Sequence, residues 1–169
     1  MVRLRYYTDC DEAVQAIALE WVHTEEFRTR IGMPDFVLQR QPDDAAEPRR
    51  THNWVIFADE QPVGLISAAV TDHPSVALPG EELADPADYP TLGTVTYIDP
   101  WHRGRGYAGA AKRAISEHNA ADGVRTFCCV VADDNAASLN AIRKAGYECV
   151  RIEQTGAGKP DRLHFRRPR

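Results

Sequence analysis

The segment from residue 92 to residue 131 constrains the fold of this chain more than any other. Residues 92–98 (LGTVTYI) predict a strand, a helix follows from Gly104, and residues 124–131 (VRTFCCVV) form a continuous apolar run. Such a run is typical of a strand that is buried on both faces. A strand, a helix and a second strand in this order form a crossover unit. The two strands are therefore expected to be parallel.

The segments before this unit predict a strand, two helices and a hairpin of two strands. Residues 2–7 alternate as a strand does, and Asp9 with Glu12 gives a helix-start signal. Apolar residues recur at helical spacing after that signal, at Val14, Ile17, Ala18 and Trp21. A second short helix is expected within 25–50. Residues 53–59 and 63–70 predict strands joined by a turn at Glu60, Gln61 and Pro62.

The segments after residue 131 predict one more helix and two closing strands. Asp133, Asp134 and Asn135 precede a helix with apolar Leu139 and Ile142, and Gly146 ends it. The helix that starts near Gly104 is expected to close at Gly123. Residues 147–152 and 162–166 predict strands around a turn at 155–160.

This order of elements predicts an α/β fold with a mixed central sheet and helices on both faces. The 169 residues suit one domain spanning 1–169. The net charge of −5 argues against a nucleic-acid partner, and no apolar run approaches the length of a membrane span. The four cysteines lack metal-ligand spacing, so we expect no metal, and they are expected to be reduced thiols. The protein is expected to be cytoplasmic and to be a monomer or a homodimer.

The loop at residues 103–109 (RGRGYAG) predicts a phosphate site. Glycines at 104 and 106 let the backbone approach a ligand, and the helix that follows presents free N–H groups and the positive end of its dipole. Gly104, Gly106 and Gly109 also satisfy the dinucleotide pattern G-x-G-x-x-G. Residues 100–103 intervene between the strand and that pattern, however, and too few residues remain for a full dinucleotide fold. A plain glycine turn is the third interpretation.

Two linked motifs resemble those of the GNAT N-acetyltransferase superfamily. The first is the loop pattern Arg/Gln-x-x-Gly-x-Gly/Ala, present as Arg103-x-x-Gly106-x-Ala108 after a strand and Pro100. The second is Asn-x-x-Ser, present as Asn135–Ser138, followed by the pair Gly146-Tyr147. In motif detail the resemblance covers 92–150, and it is closest to the branch that acetylates ribosomal-protein N-termini.

The resemblance implies acetyl-coenzyme A as acyl donor and assigns residues to it. Backbone amides would hold the pyrophosphate at Arg103, Gly104, Arg105, Gly106, Tyr107, Ala108 and Gly109. Backbone groups near Thr96 and Ile98 would hold the pantetheine arm and polarise the thioester carbonyl. Asn135 and Ser138 would contact the arm from the other side.

The catalytic residues are less well defined by the resemblance. Many members place a tyrosine acid seven residues after the motif asparagine, where this chain has Ile142. In the N-terminal acetyltransferase branch the motif serine is the candidate acid, which selects Ser138. Candidate bases in or beside the central strands are Asp72, His73, Tyr97 and Asp99, with Asp99 preferred, and a water chain is the alternative.

The stretch 79–90 (PGEELADPADYP) suggests what is acetylated. It contains Glu81, Glu82, Asp85 and Asp88 and no basic residue, with Asp43, Asp44 and Glu47 as further acids on the other side. Acids that line a cleft attract a polycationic amine, so an aminoglycoside-type antibiotic or a polyamine is the first expectation, and antibiotic resistance follows from it. A peptide N-terminus is the alternative acceptor. A second alternative for the function is a non-catalytic domain that senses acyl-coenzyme A. For the acidic stretch itself, the plain interpretation is a solvated loop.

Overall fold

A computed structural model describes residues 1–31, 38, 50–77, 83 and 85–169. The helices are α1 (Glu12–His23), α2 (Glu25–Ile31), α3 (Tyr107–Ser116) and α4 (Ala136–Lys144). The strands are β1 (Val2–Tyr6), β2 (Arg50–Ala58), β3 (Gln61–Thr71), β4 (Thr91–Ile98), β5 (Thr126–Ala132), β6 (Glu148–Glu153) and β7 (Arg162–Pro168). The order of elements is the one that the sequence predicts.

All seven strands form one sheet in the order β1-β2-β3-β4-β5-β7-β6. Every neighbouring pair is antiparallel except β4 and β5, which are parallel as predicted. Their pairing covers only residues Thr91–Gly93 of β4, opposite Thr126–Cys128 of β5. Since β4 continues to Ile98, the two strands part in the middle of the sheet and leave a wedge-shaped opening.

Helices cover both faces of the sheet, and each face has its own core. On one face α3 and α4 pack on the central strands through Ala111, Ile115, Leu139 and Ile142, among others. On the other face α1 and α2 bury Ala18, Trp21 and Phe27 against β2, β3 and β4. Burial of these apolar side chains supplies most of the folding free energy. The mixed α/β fold is therefore as predicted.

The ends of several elements differ from the sequence predictions. Helix α1 is capped by Asp11, whose Oδ1 accepts from the N–H of Val14 at 2.9 Å, because Tyr7–Asp9 form a separate 3₁₀ turn. The hairpin turns at Asp59 and Glu60, both with positive φ, and Pro62 already belongs to β3.

The region between α3 and β5 also differs from the prediction. Helix α3 ends at Ser116, seven residues before Gly123, because a short 3₁₀ turn at Asn119–Ala121 follows, capped by His118. Strand β5 is not buried on both faces, since Val130 is 40% exposed. The core under α1 and α2 contains no described residue of β5, which leaves that face of the strand open.

Candidate active site

The free edge of β4 forms one wall of the opening. Successive residues of a strand turn their peptide groups to opposite sides. The carbonyl of Pro90 accepts from the N–H of Arg125 beside β5, whereas the N–H of Asp99 donates to the carbonyl of Val63 beside β3. The even-numbered residues therefore face β5. Thr96 and Ile98, beyond the last β4–β5 pair, turn their peptide groups into the opening, where a ligand can bind them.

The face of β4 under α3 is polar along the same stretch. The Oγ1 atom of Thr96 is buried and has no hydrogen-bond partner. Thr94, two residues earlier, accepts a hydrogen bond from Lys112 Nζ. A buried hydroxyl without a partner costs free energy, so Thr96 marks a place where a polar ligand group would be stabilised.

The glycine loop lies at the mouth of this opening. Gly104 and Gly106 have φ of 76° and 78°, in the left-handed region, and Gly106 is the N-cap of α3. The N–H groups of the first turn of α3 have no partner within the helix. A Cβ atom added at either glycine would meet no described atom within 4 Å. The loop therefore offers N–H donors next to open space, as an anion site requires.

The side chain of Arg103 anchors the glycine loop to β4 and α2. Its Nε donates to the carbonyl of Ile98 at 2.9 Å, and its two terminal nitrogens bind both carboxylate oxygens of Glu26 at 2.7 and 3.0 Å. The hydrogen bond to Glu26 raises the pKa of Arg103. Helix α2 is thereby tied to the glycine loop, while Arg105 remains exposed at the mouth.

The N-terminus of α4 follows β5 and forms the opposite wall. Asn135 is the N-cap, and its Oδ1 accepts from the N–H of Ser138 at 3.2 Å. This bond uses the backbone of Ser138 and leaves the Asn135 amide N–H₂ and the Ser138 hydroxyl for other partners. Ile142, at the position where many members of the resembled family have a tyrosine acid, is buried in the core under α3 and α4. Its apolar side chain cannot act as an acid.

The four candidate bases have different surroundings. Asp99 is mostly buried, and its Oδ2 binds Nδ1 of His102 at 2.8 Å. Asp72 pairs with Arg50, and the His73 ring caps a 3₁₀ turn at Ser75. Tyr97 lies in the core under α2, where burial raises its pKa. Because its pKa is raised, the Tyr97 side chain carries less of the phenolate form that a base requires. Asp99, paired with His102, remains a candidate base.

The predicted acidic surface is placed only in part. Glu81, Glu82, Asp43, Asp44 and Glu47 lie outside the described residues. Asp85 is exposed and accepts from the N–H of Ala87. Asp88 binds Arg166 of β7 at 2.6 Å and lies 3.4 Å from the Thr126 hydroxyl. Its carboxylate therefore holds together the closed end of the β4–β5 pair, away from the opening.

Sequence reasoning missed Lys112. Its side chain is buried and points from α3 to β4, where its Nζ binds Thr94. The signal was present in the sequence, since residue 112 lies on the same helical face as Ala108, Ala111 and Ile115. A lysine in such a stripe is rarely buried without a specific reason.

The described residues contain no group of three or more side chains that could hold a metal ion, and all four cysteines are free thiols. Within the described part of the chain, no helix is long and apolar enough to cross a membrane.

Comparison with known proteins identifies the class. The model of the GNAT acetyltransferase domain matches residues 2–148, so the chain belongs to this family. It is an acetyl-coenzyme A-dependent N-acetyltransferase, and acetyl-coenzyme A is its acyl donor. No individually curated protein sequence matches it.

Several solved structures share the fold at low sequence identity. The aminoglycoside acetyltransferase AAC(6')-Ib in complex with coenzyme A is 18% identical with a TM-score of 0.69, covering 100% of this chain and 94% of that one. Campylobacter jejuni PseH in complex with acetyl-coenzyme A is 15% identical with a TM-score of 0.62, covering 100% and 99%. RimL, a ribosomal L7/L12 α-N-protein acetyltransferase, is 17% identical with a TM-score of 0.60, covering 99% and 92%.

Proposed function

We propose that this enzyme transfers the acetyl group of acetyl-coenzyme A to a primary amine of a small polycationic acceptor, of the aminoglycoside or polyamine type. The observation that supports the transfer itself is the unpaired edge of β4 beside the glycine loop. The acceptor class rests on charge, because a net charge of −5 favours a cation. A structural neighbour, AAC(6')-Ib, has been solved with coenzyme A and kanamycin.

The donor is held by backbone groups in this proposal. The N–H groups at the start of α3, within residues 103–109, bind the pyrophosphate. The peptide groups of Thr96 and Ile98 bind the pantetheine arm and the thioester carbonyl. Because the carbonyl of Ile98 already accepts from Arg103, its N–H is the group that remains for the ligand. The N–H of Thr96, farther into the opening, is then the group proposed to face the thioester oxygen, where it stabilises the negative charge that develops.

Ser138 and Asp99 are the proposed catalytic side chains. The Ser138 hydroxyl, at the N-terminus of α4, is the proposed acid that protonates the coenzyme sulfur. Asp99, at the end of β4, is the proposed base, and His102 holds its carboxylate in place. The acceptor must lose one proton in the reaction and the sulfur must gain one, so the two groups complete one proton balance.

A peptide N-terminus is the second candidate acceptor. The serine in the motif Asn135–Ser138 supports it, as does the shared fold with RimL. A peptide presents one amine instead of several, so its recognition depends less on the charge of the enzyme.

A panel assay tests the acceptor. Purified enzyme is incubated with acetyl-coenzyme A and, separately, aminoglycosides, polyamines and short peptides, and free thiol is followed over time. Turnover is expected to be fastest with a polycation, and a preference for peptides would reject the first acceptor in favour of the second. Coenzyme binding without turnover on any amine would contradict the proposal as a whole.

The same assay tests Ser138. Ser138→Ala is expected to lower kcat by about 10²-fold, the usual contribution of a general acid, with little change in the affinity for acetyl-coenzyme A. Ser116→Ala is the matched control, since its hydroxyl binds the carbonyl of Arg113 at the end of α3. An unchanged kcat for Ser138→Ala would remove this residue from the mechanism.

A further inference from the structure

Lys112 carries a buried amine at the apex of the opening between β4 and β5. Its side chain descends from the middle of α3, and its Nζ donates to Oγ1 of Thr94. Thr94 is the first residue of β4 beyond the last β4–β5 pair, Gly93 with Cys128. The amine therefore lies where the two strands begin to part, and not in the closed part of the sheet.

Among the described residues, no permanent anion pairs with Lys112. Thr94 on β4 is neutral, and the titratable groups on β5 that act on Lys112 are the thiols of Cys128 and Cys129. No described carboxylate forms an ion pair with its Nζ. Burial lowers the pKa of Lys112 because the ammonium form is removed from water. An ammonium in such a place is stabilised by any anion that forms beside it.

The reaction supplies an anion in this region. From Ile98, beside the glycine loop, to Thr94 the strand runs inward by roughly 13 Å at about 3.3 Å per residue. An extended pantetheine arm that starts at the loop brings its sulfur toward the apex. This step of the inference rests on the proposed function, because it assumes that the arm follows the free edge of β4.

We propose that the ammonium of Lys112 stabilises the negative charge of the coenzyme thiolate as it leaves. The acceptor nitrogen forms a bond to the thioester carbon, the C–S bond breaks, and its electron pair remains on sulfur. The acceptor nitrogen gives up one proton, which a water chain carries to the base, and the sulfur takes one proton afterwards, so the balance is complete without another reactant. The ammonium offsets the charge on sulfur until the sulfur is protonated. This chain has Ile142 where many family members have a tyrosine acid, so that residue supplies no proton.

The titration of bound coenzyme A tests this proposal without an acceptor. Coenzyme A is added to saturation, and the ultraviolet absorbance of its thiolate is recorded against pH as the difference between samples with and without the ligand. An opposite charge within hydrogen-bonding range typically shifts a pKa by 1–3 units. At a given pH below the midpoint we therefore expect about tenfold more thiolate on the wild type than on Lys112→Met.

Two further variants separate charge from packing. Lys112→Gln retains a hydrogen-bond donor for Thr94 but has no charge, and it is expected to titrate like Lys112→Met. Lys144→Met removes an exposed lysine from α4 and is expected to titrate like the wild type. The melting temperature and the affinity for coenzyme A of each variant show that it folds and is loaded.

Identical thiol titrations for the wild type, Lys112→Met and Lys112→Gln would overturn the role of Lys112. A variant that binds no coenzyme A while folded would also overturn it, since it would make Lys112 a binding residue. If the wild type shows the shift but acetylates no amine, the proposed function fails while the role of Lys112 stands. With an active acceptor, kcat of Lys112→Met is expected to fall by about tenfold or more at constant affinity for acetyl-coenzyme A.

Discussion

At the scale of single residues, Gly106 and Gly123 provide a matched pair. Both have φ of 78°, and a Cβ added at either meets no described atom within 4 Å. They lie at opposite ends of the segment that contains α3. A side chain at either position pays the same cost of the left-handed conformation, roughly 1–2 kcal/mol. Only at Gly106 would the new side chain also occupy the space in front of the first N–H groups of α3.

Gly106→Val is therefore expected to lose affinity for acetyl-coenzyme A by about tenfold or more, the equivalent of one or two charge-assisted hydrogen bonds. Gly123→Val is expected to lose similar stability and to bind normally. Isothermal titration with acetyl-coenzyme A, together with urea unfolding, measures both quantities. Equal affinities in the two variants would contradict the placement of the pyrophosphate at this loop.

Lys112 gives a second residue-scale prediction, on stability. Its pKa is lowered by burial from 10.5 in the unfolded chain. Between the folded value and about 10.5 the unfolded state binds one more proton, so the free energy of unfolding rises with pH through this window. Lys112→Met lacks this proton. The variant is expected to be more stable than the wild type at neutral pH, and its advantage should shrink as the pH approaches 10.5.

Urea unfolding at several pH values measures this difference. Tyrosines whose pKa values are raised by burial, such as Tyr97, weaken the fold as the pH rises, but they are present in both proteins and cancel. A difference that is independent of pH would mean that the pKa of Lys112 is not lowered on folding. A difference that shrinks with rising pH would instead show that Lys112 destabilises the free enzyme, and its proposed role in turnover would then be an example of the exchange of stability for activity at active sites.

At the scale of elements, the sequence predicted what depends on neighbouring residues. The order of helices and strands, the β4–α3–β5 crossover and the glycine loop all follow from local patterns, and each is present. The ends of α1 and α3 could not be predicted in the same way. Capping by Asp11, in place of Asp9, depends on the burial of Tyr7 against the sheet, which is a tertiary effect.

Contacts between distant elements could not be predicted from the sequence. Asp88 and Arg166 are 78 residues apart, and their ion pair turns an apparent substrate-binding acid into a clamp between β7 and the segment before β4. Glu26 and Arg103 are 77 residues apart and connect α2 to the glycine loop. No local pattern pairs one charge with another at such a separation. Which charges remain exposed for a ligand was therefore decided only by the fold.

At the scale of the whole molecule, the net negative charge bears on the proposed cationic acceptor. The net charge of −5 acts over distances comparable to the Debye length, about 30 Å at 0.01 M salt and about 8 Å at 0.15 M. The same field does not favour the anionic coenzyme. In the proposal, its phosphates depend on the local N–H groups of the glycine loop, which would give the enzyme a local anion site beside a general attraction for cations.

This combination predicts how the Michaelis constant depends on salt. Between 0.01 M and 0.15 M salt, KM for a polyamine or an aminoglycoside is expected to rise several-fold at constant kcat, because attraction between separated charges is screened. A short peptide with a single amine should show little change. Asp85→Asn removes one exposed charge but retains a side-chain oxygen for Ala87, so it should weaken the salt dependence without unfolding its turn. If KM for a polycation proves independent of salt, charge does not select the acceptor, and a peptide N-terminus becomes the better assignment.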